Sequence, residues 1–144
     1  MSSACRLMAT SGILVALGLL AGSPARADDK DEIQGAWRAT FAEIGGKEAT
    51  EAQRKRISVS IKGNAFTLTE GGGSETVHFR LNQKAQPRVI EFWRKGQEGK
   101  TLWHGIYEFD GRILRVCWGP AGQARPGSFN SKASNDHRYY ILKR

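Results

Sequence analysis

The stretch GKTLWHGIYEFDGRILRVCWGP, Gly99 to Pro120, reads as a β-hairpin whose two faces differ in chemistry. Asp110-Gly111 lies between two apolar runs, and a two-residue type I′ turn needs positive φ at both central positions, which Asp and Gly tolerate best. With these two as the tip, Phe109 faces Arg112, Glu108 faces Ile113 and Tyr107 faces Leu114. Further down, Ile106 faces Arg115, Gly105 faces Val116, His104 faces Cys117 and Trp103 faces Trp118. Side chains alternate between faces along a strand. One face therefore carries Trp103, Tyr107, Phe109, Leu114, Val116 and Trp118, and reads as an interior. Gly105 in its middle leaves room for a large ring opposite, or marks a bend. The other face carries His104, Ile106, Glu108, Ile113, Arg115 and Cys117. It reads as outer wall, with Arg115 diagonal to Glu108.

The same period of two recurs on both sides of the hairpin. Trp37, Ala39 and Phe41 alternate with Arg38, Thr40 and Ala42. Ile57, Val59 and Ile61 alternate with Ser58, Ser60 and Lys62. Phe66 and Leu68 follow the tight-turn pair Gly63-Asn64. After Gly71-Gly72-Gly73 come Val77, Phe79 and Leu81, then Ile90 and Phe92, and finally the run His137 to Leu142. Asp28 to Gln34 has acids suited to the start of a short helix, which Gly35 stops. Thr50-Glu51-Ala52-Gln53 has capping-box spacing. Eight strand candidates joined mostly by short turns predict an all-β fold: an eight-stranded antiparallel up-and-down barrel with a short N-terminal helix. A two-sheet sandwich is the alternative; only the loop Gly119 to Asp136 is long enough for a crossover.

A barrel of eight strands is either filled by side chains or holds one small ligand. The rings assigned inward are Trp37, Phe41, Phe66, Phe79, Phe92, Trp103, Tyr107, Phe109 and Trp118, bulk enough to fill much of it. Both outcomes stay open at this level. If a cavity is left, Trp37, Phe41, Phe92, Trp103, Tyr107 and Trp118 are the candidate ligand-binding rings. Arg125, in the long loop, is the candidate neutraliser of an acidic head group, with that loop as a lid.

The N-terminus has the layout of a secretory signal peptide over residues 1–27. Arg6 precedes the apolar run Ile13 to Leu20, and Ala25-Arg26-Ala27 supplies a cleavage site. The apolar run is shorter than the roughly 20 residues of a membrane-crossing helix. The expectation is an exported, periplasmic or secreted domain over residues 28–144, with no transmembrane segment in the mature chain. Loss of Arg6 and Arg26, with no acid, takes the formal charge from +8 to +6. Cys117 is then the only cysteine, and a lone one reads first as a small buried hydrophobe.

Few residues of the chain carry legible chemistry. The hairpin register sets His104 beside Cys117, with His137 near by, which would permit a thiolate or a metal set. The register of His137 is not fixed by a tight turn. Glu91 reads as outward, since Ile90 and Phe92 make the better inner face; turned inward it would need a partner, which Arg125 offers. No catalytic triad, zinc-protease motif or phosphate loop is legible. No enzyme activity, cofactor or metal is expected. Nucleic acid is a poor partner for an exported domain without an RNA-binding or zinc-finger signature.

Gly35-x-Trp37 opening the first strand, with basic residues closing the last, resembles the start of a lipocalin. More specific are, in order, Gly99-Lys100-Thr101, Gly105 to Gly111, Cys117, Pro120, Arg125-Pro126 with Phe129, and Leu142-Lys143-Arg144, with Pro87 and Ile90-Glu91 before the hairpin. Together they resemble an uncharacterised lipocalin-like domain family expanded in planctomycete bacteria, over essentially all of residues 28–144. The resemblance implies a secreted or envelope barrel in which the tryptophan closes one end under a C-terminal basic side chain. It implies no activity. The chain departs from the pattern at His104, where Pro is common, and at Trp118, which is larger than usual. The functional expectation is non-enzymatic binding of a small, partly apolar or amphiphilic molecule in or at the mouth of the barrel. The alternative is a basic adhesion module for an anionic envelope polymer or protein partner.

Overall fold

The computed structural model describes residues 27–144, so the leader expected over residues 1–27 falls, but for Ala27, outside the described residues. Helix α1 (Asp29–Glu32) precedes strand β1 (Gly35–Ile44) and the short β2 (Lys47–Glu48). One helical turn, α2 (Glu51–Arg54), leads to β3 (Ser58–Lys62), β4 (Ala65–Glu70), β5 (Gly73–Asn82), β6 (Arg88–Trp93), β7 (Trp103–Phe109), β8 (Ile113–Trp118) and β9 (Arg138–Lys143). Strands β3 to β9 pair antiparallel in sequence order, and β1 pairs with both β3 and β9. The sheet therefore closes into the eight-stranded up-and-down barrel that the alternation predicts; β2 is a flap on the edge of β1. Thr50 caps α2 with the expected box, its hydroxyl accepting from Gln53 N while the Gln53 side chain accepts from Thr50 N.

The hairpin differs from expectation by one residue at its tip. Asp110 N donates to Ile113 O, and the Asp110 carboxylate accepts from the amides of Arg112 and Ile113. These two amide bonds hold its pKa below the ordinary value. The chain thus turns on Gly111-Arg112, and every partner moves by two residues: Gly105 faces Trp118, Ile106 faces Cys117, Tyr107 faces Val116 and Glu108 faces Arg115. A shift of two preserves the faces, so the inner set is as expected while the pair of His104 with Cys117 is not formed. His104 instead faces Glu91 on β6. Gly105 makes room for the ring opposite: a Cβ there would lie 2.8 Å from Cys117 O and 3.1 Å from Trp118 Cβ.

Phe41 is the second correction. The β1–β9 register runs from Ala39↔Leu142 to Phe41↔Ile141, so Thr40 is an extra residue. Such a bulge reverses the alternation beyond it. Ala42 turns inward opposite Tyr140, and Phe41 turns to the outer wall against Tyr139, with ring centroids 5.5 Å apart.

One end of the barrel is plugged. Helix α1 lies across it and Trp37, fully buried, donates Nε1–H to Ile33 O at 2.8 Å. The guanidinium of Arg144 sits 4.5 Å from the centre of the Trp37 ring, and its Nη1 and Nη2 donate to Gln34 O and Glu32 O. Asp29 is buried beneath. Its carboxylate accepts from Tyr107 Oη at 2.7 Å and Arg88 Nη1 at 3.1 Å, and its amide donates to Gln83 Oε1 at 2.8 Å. A buried carboxylate is tolerated when paired in this way. Above this floor Phe79, Ile90, Leu114, Val116 and Leu142 fill the interior, each contributing about 1.5–3 kcal/mol by burial.

The loop 119–137 lies against the outer wall and is no lid over the interior. It explains why Ile106 and Cys117, both on outward positions, are fully buried. Cys117 Sγ donates to Asn130 O at 3.4 Å. Ser131 Oγ accepts from Gly46 N and donates to His137 O, tying the loop to the β1–β2 turn. Gly46 has φ +82°, and a Cβ on it would meet Ala133 N at 2.6 Å. Residue 46 has to be glycine for this contact.

Candidate ligand site at the mouth of the barrel

Antiparallel order brings the C-terminal ends of β4, β6 and β8 and the N-terminal ends of β5, β7 and β9 to the end opposite α1. A cavity of about 380 Å³ opens there. Phe66, Leu68 and Glu70 enter it from β4, Glu75 and Val77 from β5, Phe92 from β6, Trp103 from β7, Trp118 from β8 and Arg138 from β9. Each set follows from period-two alternation carried to the strand end. Phe92 packs edge-on against Phe66 at 5.1 Å and against Trp118 at 5.6 Å. Trp118 stacks on Tyr140 at 5.1 Å. The wall is therefore aromatic and held in place by ring contacts.

The rim is charged. Arg138 Nη1 donates to Glu70 Oε1 at 3.1 Å, to Glu70 Oε2 at 2.9 Å and to the Tyr140 hydroxyl at 3.3 Å. Tyr140 Oη in turn donates to Glu70 Oε1. Burial, with the Glu70 carboxylate adding, pushes the pKa of the Tyr140 phenol up, so this hydroxyl keeps its proton. Arg94 lies 4.0 Å from Glu75 and 5.8 Å from the centre of the Trp103 ring.

Of the residues singled out in the sequence, Phe92, Trp103 and Trp118 meet in this cavity. Trp37 and Tyr107 belong to the plugged end, and Phe41 to the outer wall. Arg125 is also on the outer wall, where its Nη2 donates to Glu91 Oε1 at 3.0 Å. Glu91 points outward, as its strand pattern predicts, with Arg80 and His104 as its other neighbours. Glu70, Arg138 and Tyr140 are the residues that sequence reading missed. The signal was there: Glu70 continues the inward series Phe66, Leu68, and Arg138 begins the series Tyr140, Leu142.

The imagined cluster of Cys117 with two histidines does not assemble. The Cys117 thiol is bonded to a loop carbonyl, and burial pushes its pKa up to about 11, opposite to what a nucleophile needs. Among the described residues no helix is long and apolar enough to cross a membrane. No family model, curated protein or solved structure matches the chain.

Proposed function

We propose that this chain is an exported, lipocalin-like carrier or sensor of a small, partly apolar molecule held in the mouth cavity. The observation that supports it is the asymmetry of the interior. The interior is filled and plugged at the α1 end, where a cleft of about 480 Å³ runs along the wall by Pro87, Glu108 and Arg115, yet it opens over an aromatic-lined cavity of about 380 Å³ at the other end. An end built only as a core would close over Phe66, Phe92, Trp103 and Trp118 as the other end closes over Trp37, since unfilled space beside them gives no contacts. The volume lies low in the range of about 300–1,000 Å³ usual for small-molecule sites. Native mass spectrometry of protein purified gently from its own cell envelope tests this. A discrete mass added to residues 28–144 is expected. A bare chain that also fails to take up apolar probes would overturn the carrier reading, and an uncleaved leader would overturn export.

Adhesion to an anionic envelope polymer is the second reading, favoured by one observation. Arg38 and Lys143 face each other in register on the outer wall, both exposed, with no acid at ion-pair distance among the described residues. Like charges directly opposed destabilise a sheet, so a use for them elsewhere is a reasonable source. Binding of this kind collapses as salt rises; uptake of a neutral apolar probe does not.

A further inference from the structure

We infer that the mouth cavity takes a small organic monocarboxylate with a planar apolar body, its head group held by Arg138. This deepens the carrier reading and rests on it. Arg138 lines the cavity. Every hydrogen bond that its guanidinium makes among the described residues comes from Nη1. Nε and Nη2 make none. Those two nitrogens form one edge of the planar fork, and that edge matches the two oxygens of a carboxylate. Glu70 and Tyr140 therefore fix the orientation of the guanidinium without using it up.

The surroundings narrow the class. Glu70 and Glu75 both border the cavity, so a phosphate or dicarboxylate would meet two negative charges for one free fork. Of the two carboxylates, Glu70 has both oxygens engaged by Arg138 and Tyr140, and Glu75 has Arg94 at 4.0 Å, so neither stands without a basic neighbour for a cationic ligand to replace. Phe66, Phe92 and Trp118, packed edge-on against one another at 5.1–5.6 Å, line the same cavity and make an apolar floor on which a flat hydrocarbon body can lie. The volume of about 380 Å³ is ample for one or two fused rings.

The test compares 2-naphthoate with 2-naphthylmethanol, two probes of one shape that differ in the head group, on the native protein by quenching of tryptophan emission. The carboxylate is expected to bind at least tenfold tighter. In the double variant Arg138→Gln with Glu70→Gln, which removes both charges together, the preference is expected to vanish while the alcohol still binds. If the alcohol binds the native protein as tightly as the carboxylate, the carboxylate inference falls and the carrier reading stands. A preference that persists in the double variant also overturns it. If neither probe binds, both fall. The comparison on the native protein decides the matter even if the double variant does not fold.

Discussion

Tyr107 Oη donates to Asp29 Oδ2 across 2.7 Å, joining an inner side chain of β7 to the first residue of α1, 78 positions away in the chain. Arg88 shares the same oxygen at 3.1 Å. The bond makes the plug part of the barrel rather than a flap over it. Tyr107→Phe removes one partner of a buried carboxylate, which costs about 1–3 kcal/mol. A lower urea midpoint with unchanged probe affinity is expected, because Tyr107 does not line the mouth cavity. Equal stability in urea titrations would show that the plug does not depend on this bond.

Arg144 holds the same plug from outside. Its guanidinium covers Trp37 and bonds two carbonyls at the end of α1. Arg144→Ala is expected to cost about 0.5–2 kcal/mol through the lost cation–π contact. Arg144→Lys should recover only part, since an ammonium lacks the planar fork. Thermal melts of the three proteins rank them; a lysine variant equal to the native protein would mean that charge alone matters.

Gly105 and Trp118 are a matched pair. A methyl group at residue 105 would press on the Cys117 carbonyl, the Ile90 side chain and Trp118. Gly105→Ala is therefore expected to destabilise by about 1–3 kcal/mol, as overpacking does. It should also disturb the near-ultraviolet circular dichroism of Trp118. Unaltered dichroism and melting would show that the strands can part at no cost.

Val77 borders the cavity and is buried. Val77→Phe adds a ring to the empty space beside Phe66 and Phe92. Binding of 2-naphthylmethanol is expected to fall at least tenfold, with melting unchanged or raised, because filling a void adds contacts without removing any. Undiminished binding would place the probe elsewhere.

Alkaline stability follows from Cys117 and Tyr140. Burial raises the pKa of both, Cys117 from 9.0 to about 11. The folded chain keeps protons that the unfolded chain releases, so unfolding is favoured as pH rises. The contribution of Cys117 is present in full below about pH 9 and is lost as pH climbs from 9 towards 11. Urea midpoints from pH 7 to pH 11 should decline over that window, and less steeply in Cys117→Ala. A disulfide reagent at neutral pH should label Cys117 only after denaturation; rapid labelling of the folded protein would contradict its burial.

Much of this molecule was legible from alternation and turns. The period of two placed Val59, Phe66, Phe79, Phe92, Tyr107 and Leu114 inside, turned Glu91 outward and ordered eight strands into a closed meander, because a half-buried strand must show one apolar face to the core. The box at Thr50 and Gln53 is local and was read locally. Alternation does not say which residue stands opposite, however, since a slip of two leaves every burial unchanged. So the hairpin tip at Gly111-Arg112 was missed, and with it the true neighbours of His104 and Cys117. The bulge at Thr40 arises from the pairing of β1 with β9, a strand about a hundred residues away, and only that pairing sent Phe41 outside. The long loop carries no periodicity, so its path over Cys117 was invisible in one dimension. The joining of Glu70 to Arg138, 68 positions apart, needs the closed barrel to bring both to one rim. The residues of each wall were set by local chemistry. Which end is plugged, which stays open and what guards it were decided by contacts between segments far apart in sequence, and only the tertiary structure holds those.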